Sequence, residues 1–204
     1  MIFVRDKGRI CTNILQYGHL YAWARANNRK TVSMRFAYKY QYFHICRTRW
    51  HNFFVYLFAK YAAQLKLIPT VTFDTPDEDL TEKENAMRRG CLVAEGWFAR
   101  WYDLFLQYKP EILSLFAFDS HIESKVTSLL ETSSKESIIR LGVHIRRGDY
   151  ATWNDGRFLY DDKQMVNIIR QFILLHPNKR IVIYICGNDP KLNKQAYSDA
   201  FGQE

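Results

Sequence analysis

Apolar runs with the character of strands alternate with amphipathic stretches along this 204-residue sequence, and the alternation predicts an α/β protein. Three observations carry the prediction. The opening residues 2–4 are followed by Ile14, Tyr17, Tyr21 and Ala24 at helical spacing and then by TVSMRF at 31–36, a βαβ opening. In IIRLGVHIR, Ile139, Leu141, Val143 and Ile145 alternate with Arg140, Gly142, His144 and Arg146, the period of a strand with one apolar and one polar face. RIVIYIC at 180–186 is a continuous apolar run, which is how a buried parallel strand reads. The polar, serine-rich ETSSKES at 131–137 separates two Rossmann-like units, 1–134 and 138–204.

In the first unit, a turn at 5–12 carries Gly8 and leads into a helix from about Asn13. After the strand at 31–36 comes AYKYQYFHICRTRW, aromatic and basic without clear period. It has two readings: a base-stacking surface for single-stranded nucleic acid, or an irregular aromatic core segment with snorkelling Lys39, Arg47 and Arg49. A helix over 51–66 and a strand over 68–73 give another repeat, and the charged stretch 74–89 reads as an exposed loop. Its Asp77, Glu78 and Asp79 resemble a metal site in composition, but a solvated loop accounts for them. A strand over 91–95 and helices over 98–107 and 120–131 complete the unit.

In the second unit the strand over 138–145 runs into Arg146, Arg147, Gly148 and Asp149. A loop with Trp153, Asn154, Asp155 and Gly156 precedes a helix from Asp161 to about His176. Asp161 is its cap, and Met165, Ile168, Ile169, Phe172 and Ile173 are its buried stripe. Asn188, Asp189 and Pro190 turn the last strand into a further helix.

Composition narrows the chemistry. With 48% apolar residues the chain can bury a core, and a net charge of +8 calls for an anionic partner: a nucleotide sugar, a nucleic acid or an anionic membrane surface. No run of about eighteen apolar residues is present, and MIFVRDKGR turns charged too soon for a secretory signal, so a cytosolic location is expected. Cys11, Cys46, Cys91 and Cys186 match neither a zinc site nor a disulfide framework and read as reduced, buried thiols. His44, His51 and His121 lack the partners of a metal box, and no metal is expected.

Ligands of open α/β sheets bind at the carboxyl ends of strands, where Arg146, Arg147 and Asp149 fall. Two guanidiniums grip a phosphate or diphosphate through paired hydrogen bonds and stay charged near neutral pH. Gly148 permits a positive φ or a close approach of backbone to ligand. The plainer reading is a surface arginine pair after an edge strand.

The full string GVHIRRGDY, 142–150, resembles the HxRRxD signature of the fucosyltransferase superfamily, and its ending is similar to that of the α-1,2-fucosyltransferases of glycosyltransferase family 11. Residues 8–24 resemble that family's glycine-rich turn and first helix, with Gln16 and Tyr17 in place and Cys11, Thr12 and Asn13 where glycine, asparagine and glutamine are usual. Residues 95–118 resemble the segment in which a glycine and aromatics precede a helix, and 181–192 resemble the strand and SDDP-like loop after the arginines.

The resemblance implies a GT-B-like fold, with an acceptor-side first domain and a nucleotide-sugar-binding second unit. It implies inverting, metal-independent transfer of L-fucose from GDP-fucose to a galactoside hydroxyl in an α-1,2 link, in the building of a surface polysaccharide. The expected partners are a GDP-sugar donor, an oligosaccharide or glycolipid acceptor and a peripheral contact with the inner membrane; neither nucleic acid nor a separate cofactor is expected. Arg146 and Arg147 fall to the diphosphate, with the main contact left open between them. His144 lines the donor pocket or bonds within the sheet end, and Asp149 orients the arginines or caps the turn. Gly8, Asn13 and Gln16 shape the facing side of the cleft, and Asp149 and Asp155 are the carboxylates near enough in sequence to serve as a base. The second unit holds about 65 residues where such domains generally need about 100 to 150, and no serine-rich donor motif follows, so it is expected to be incomplete. The competing readings are a basic nucleotide- or nucleic-acid-binding module without catalysis and an inactive fragment of the transferase.

Overall fold

The computed structural model describes residues 1–76, 79–131 and 138–202. They fall into two compact units, Met1–Leu129 and Leu130–Glu204. Of the sequence expectations, Asp77, Glu78 and most of the serine-rich 131–137 stretch lie outside the described residues.

The first unit is built on a wholly parallel four-stranded sheet in the order β2-β1-β4-β3. The strands are β1 (Ile2–Arg5), β2 (Thr31–Ser33), β3 (Thr70–Thr72) and β4 (Leu92–Glu95). Alternation along β1 sends Ile2 and Val4 to one face and Phe3 to the other. Helix α1 (Ile10–Ala26) covers the first face with Tyr17, Leu20 and Trp23, joined by Phe36, Phe43 and Phe73. Helix α2 (Phe53–Gln64) covers the second with Ala59, Val55 and Ala63 against Phe3, Val32 and Val93. Asn52 caps α2 by accepting the Val55 N–H at 3.1 Å.

Four expectations for this unit need correction. Residues 81–89 form helix α3 (Thr81–Arg89) instead of a loop. Glu82 and Glu84 in its first turn and Arg88 and Arg89 in its last complement the helix dipole, Glu84 pairs with Arg88 at 2.9 Å, and Met87 is buried. The helix expected from 98 begins later as α4 (Tyr102–Gln107), and a second short helix, α5 (Lys109–Leu115), follows with Pro110 in its first turn. Helix α1 starts at Ile10, and β2 ends at Ser33 where the chain turns. Helix α6 (Ser120–Glu131) matches the expected span.

The aromatic-basic run at 38–50 resolves in favour of core. Phe43 and Ile45 are buried around a 3-10 turn at His44–Arg47, and Phe36, Phe43 and Phe116 pack ring on ring. Of the cysteines only Cys46 is buried; Cys11, Cys91 and Cys186 are exposed, because they sit at a helix start, in the turn before β4 and on the open face of a sheet.

The second unit pairs β5 (Ile138–Ile145) with β6 (Arg180–Gly187) in parallel register, Val143 opposite Ile185. Helices α7 (Asp162–Leu174) and α8 (Lys194–Phe201) cover one face, where Val143 and Ile145 meet Val166, Ile169 and Tyr197. Asp161 caps α7 in a reciprocal box with Gln164. Ile168 is exposed and Val166 takes its place, since the buried face is rotated toward α8. Strand β6 is not sealed on both sides as its apolar run predicts: Tyr184 and Cys186 stand exposed on the face opposite the helices.

Candidate functional site

The turn after β5 is shaped by two close approaches. Gly148 has φ +30°, and a Cβ there would come within 2.9 Å of the Asn188 amide nitrogen. Asn188, just beyond β6, accepts the Arg147 backbone N–H at 3.0 Å, so the loop following one strand braces the loop following the other. A Cβ on Gly187 would lie 2.5 Å from the Ile145 carbonyl oxygen, which is why that strand end carries glycine.

The two arginines do not lie side by side. Successive residues of an extended chain point to opposite faces, and Arg146 and Arg147 follow that rule. Arg147 turns back into the unit, with its side chain 15% exposed. Its Nη2 and Nη1 donate to the two oxygens of Asp162 at 2.6 and 3.3 Å, Nη1 also reaches Asp189 at 3.5 Å, and Nε donates to the Tyr160 carbonyl at 3.1 Å. Tyr197 donates to the same Asp162 oxygen at 2.8 Å. The Arg147 hydrogen bonds hold the Asp162 carboxyl below its ordinary range, while burial first, and then Asp162, push the Tyr197 hydroxyl up to about 12. This is a braced guanidinium with a partner on each of its three nitrogens.

Arg146 keeps company with His144 on the polar face of β5, and both line an open cavity of about 440 Å³. Its guanidinium lies 4.4 Å from the centre of the Tyr150 ring and donates to Asp149 at 2.8 and 3.4 Å. Those bonds to Asp149 raise its proton affinity further, so it is a fixed cation at the cavity wall. Tyr150 stacks on Trp153 at 5.3 Å, and Trp153 packs against Phe158 at 5.4 Å. Tyr160 and Met165 complete the wall. The loop that carries it is tightly wound, with Asn154 and Asp155 both left-handed at φ 50° and 54°. Asp155 is exposed. The arrangement offers one oriented cation, one imidazole and a bank of aromatic faces.

The first unit holds the other sequence-derived residues. Gly8 has φ +93° at the turn between β1 and α1. Gln16 is committed to that turn: its amide donates to the Lys7 carbonyl at 2.9 Å and accepts the Lys7 N–H at 3.2 Å. Asn13 is wholly buried, and neither polar atom of its side chain has a hydrogen-bond partner among the described residues. At the ends of β1 and β2, Asp6 accepts from the Ser33 hydroxyl at 2.7 Å, and the Ser33 N–H donates to His51, whose other nitrogen meets Thr48 at 2.6 Å. Burial pushes Asp6 up to about 7 and His51 down to about 4. His19, also buried and lowered to about 4, accepts the Trp101 N–H at 3.1 Å.

The sequence reading missed Asp162 and Tyr197, the partners of Arg147, and the cavity-wall roles of Tyr150, Phe158 and Tyr160. The aromatic spacing after the arginines was the available signal for the wall; nothing in the sequence marks Asp162, next to the helix cap, as an ion-pair partner. Among the described residues no three His, Cys, Asp or Glu side chains gather as a metal-binding group.

No protein-family model and no curated protein sequence matches the chain. Among solved structures it is similar to POFUT1 in complex with GDP, with TM-score 0.50 and 11% identity over 98% of this chain and 82% of that one. It is also similar to the fucosyltransferase NodZ from Bradyrhizobium, with TM-score 0.47 and 12% identity over 98% of this chain and 74% of that one. The former likeness shows a GT-B-type α/β fold for this chain.

Proposed function

We propose that this protein is a glycosyltransferase that takes GDP-fucose as donor, receiving its diphosphate at Arg146. The observation that carries the reading is the placement of that guanidinium: at the carboxyl end of β5, beside His144, oriented by Asp149 and facing an aromatic-lined cavity. The resemblance of 142–150 to the HxRRxD signature and the GDP held by the similar POFUT1 structure support it.

In the reaction an acceptor hydroxyl oxygen attacks C1 of the fucosyl group and loses its proton to solvent. The bond from C1 to the diphosphate oxygen breaks, and its electron pair leaves with GDP. Arg146 stabilises the charge that gathers on the departing diphosphate, an electrostatic contribution that needs no proton transfer. Asp149 keeps the guanidinium aimed, and the stacked faces of Tyr150 and Trp153 suit a purine ring. Arg147, tied to Asp162 and Asp189, is a positioning residue that fixes the loop. The finer assignment is an α-1,2 link to a galactoside in a surface polysaccharide, tested by the linkage of the product.

Calorimetry with GDP checks the donor site. Arg146→Ala is expected to weaken GDP binding roughly ten- to a hundred-fold, the loss of one or two charge-assisted hydrogen bonds, with an unchanged melting temperature. Wild-type affinity in Arg146→Ala overturns the assignment. Preference for oligonucleotides over GDP, with a steep salt dependence, returns the protein to the nucleic-acid reading.

A further inference from the structure

The first unit carries an unpartnered apolar surface of its own on helix α2. Helix α2 carries apolar residues well beyond the side that the sheet takes up. On the other side Phe54, Phe58, Tyr61 and Leu65 recur at i, i+4, i+7 and i+11, and Phe53 and Leu67 extend the patch; all six are exposed, Phe54 at 80% and Leu67 at 73%. A contiguous apolar surface of this kind on a folded protein marks a docking site.

Charge identifies what it docks on. Between Asp6 and Asp74 the chain has no aspartate or glutamate and eleven lysines and arginines. Through Phe73 there are twelve basic residues against one acidic, and thereafter seventeen against twenty, so the positive excess of the chain lies wholly on the segment that carries α2. The cations sit around the apolar patch. Arg49 lies over the Trp50 ring at 4.9 Å beside the start of α2, Lys60 over Tyr61 at 5.5 Å, and Lys66 stands between Leu65 and Leu67. Tyr38, carrying Lys39 at 5.9 Å, packs on Tyr56 of α2 at 4.4 Å. Among the described residues Lys39, Arg49, Lys60 and Lys66 make no ion pair. Aromatic and leucine side chains ringed by unpaired cations, with tyrosine and tryptophan at the margin, are the chemistry of a surface that enters the headgroup region of an anionic bilayer.

We infer that the exposed face of α2, with Trp50 and the 65–67 loop, seats this protein on an anionic membrane surface. The inference rests on the first unit alone and holds or fails independently of the donor reading. No helix among the described residues is long and apolar enough to cross a membrane, so the contact lies in the plane of the interface.

The test is co-sedimentation of the full chain with vesicles of phosphatidylcholine, and with vesicles in which phosphatidylglycerol replaces part of it. The chain is expected to sediment with the mixed vesicles and far less with the neutral ones, and to be released by salt. Phe54→Ser with Leu65→Ser, and separately Lys60→Glu with Lys66→Glu, are each expected to lower the partition by more than about ten-fold while GDP affinity and melting temperature stay those of the wild type. If the serine pair compromises folding, the glutamate pair, which leaves the apolar face intact, decides. Equal partition of wild type and glutamate pair, or no binding of the wild type to mixed vesicles, overturns the inference. A wild type that is dimeric in solution, ignores vesicles and becomes monomeric in the serine pair overturns it in favour of a second copy on the same face.

Discussion

The two α/β units hold their polar groups in opposite ways. In the first, helices cover both faces of the sheet, and Asp6, Asn13, Gln16, His19 and His51 are buried with none of them in an ion pair among the described residues. Burial there drives Asp6 toward its neutral acid and the histidines toward neutral imidazoles. In the second, two strands are covered on one face, and the organising contact is an ionised one: Arg147 between Asp162 and Asp189 at the strand ends. One unit is a packed scaffold that keeps neutral polar groups in its core and has ion pairs, such as Arg5 with Glu95, at its strand ends; the other is a thin sheet organised around an ion pair next to an open cavity.

The comparison breaks most visibly in the scaffold. Trp23 is 1% exposed, packs against Trp101 at 6.0 Å and carries Arg88 over its ring at 5.4 Å. Trp23→Ala is expected to cost about 3–5 kcal/mol by leaving a cavity that the surrounding strands cannot fill. Denaturant unfolding measures it, and a cost under about 1 kcal/mol contradicts a sealed first core.

The pH response sharpens the same contrast. Asp6, with a folded pKa near 7, keeps a proton that the unfolded chain surrenders well below that pH, so its contribution to stability is greatest in acid and is lost as pH rises toward 7. His19 and His51, lowered to about 4, act in the other direction: the unfolded chain takes up their protons first, and their contribution is lost as pH falls from about 6.5 toward 4. Asp6→Asn mimics the neutral acid and removes only the first effect. Between about pH 4 and 7 the stability of the wild type relative to Asp6→Asn is expected to fall with a slope of up to about 1.4 kcal/mol per pH unit. Arg35, whose N–H donates to Asp6 at 3.4 Å, is the cation that moderates this slope. Parallel stability curves in pH-stepped urea titrations exclude a protonated Asp6.

How much of this was legible depends on whether the cause is local. The β5 strand, the Gly148 turn and the Asp161 cap follow from residues within a few positions of each other, and each was readable. Helix α3 was missed because charge density was taken for solvation, although Glu84 and Arg88 at i, i+4 and the sign of its ends both favour a helix. The ion pair of Arg147 with Asp162 and the hydrogen bond of Asp162 with Tyr197 span 15 and 35 residues, and no periodicity announces such pairs. The separation of the two arginines was legible in part: the alternation puts Arg146 on the polar face with His144, and its other half, that Arg147 then points away, does not agree with giving both arginines to the diphosphate.

That separation gives the finest test. Arg147→Lys keeps the charge but loses the planar fork that spans both oxygens of Asp162, an expected cost of about 1–2 kcal/mol in the stability of the second unit. Arg146→Lys, at a side chain that faces the cavity and pairs with Asp149, is expected to leave stability unchanged and to weaken GDP binding instead. Thermal unfolding and calorimetry on the two variants therefore move in opposite columns. Should Arg147→Lys lose GDP with its melting temperature intact, the guanidinium must leave Asp162 when the nucleotide arrives, and the two arginines act together on the diphosphate after all.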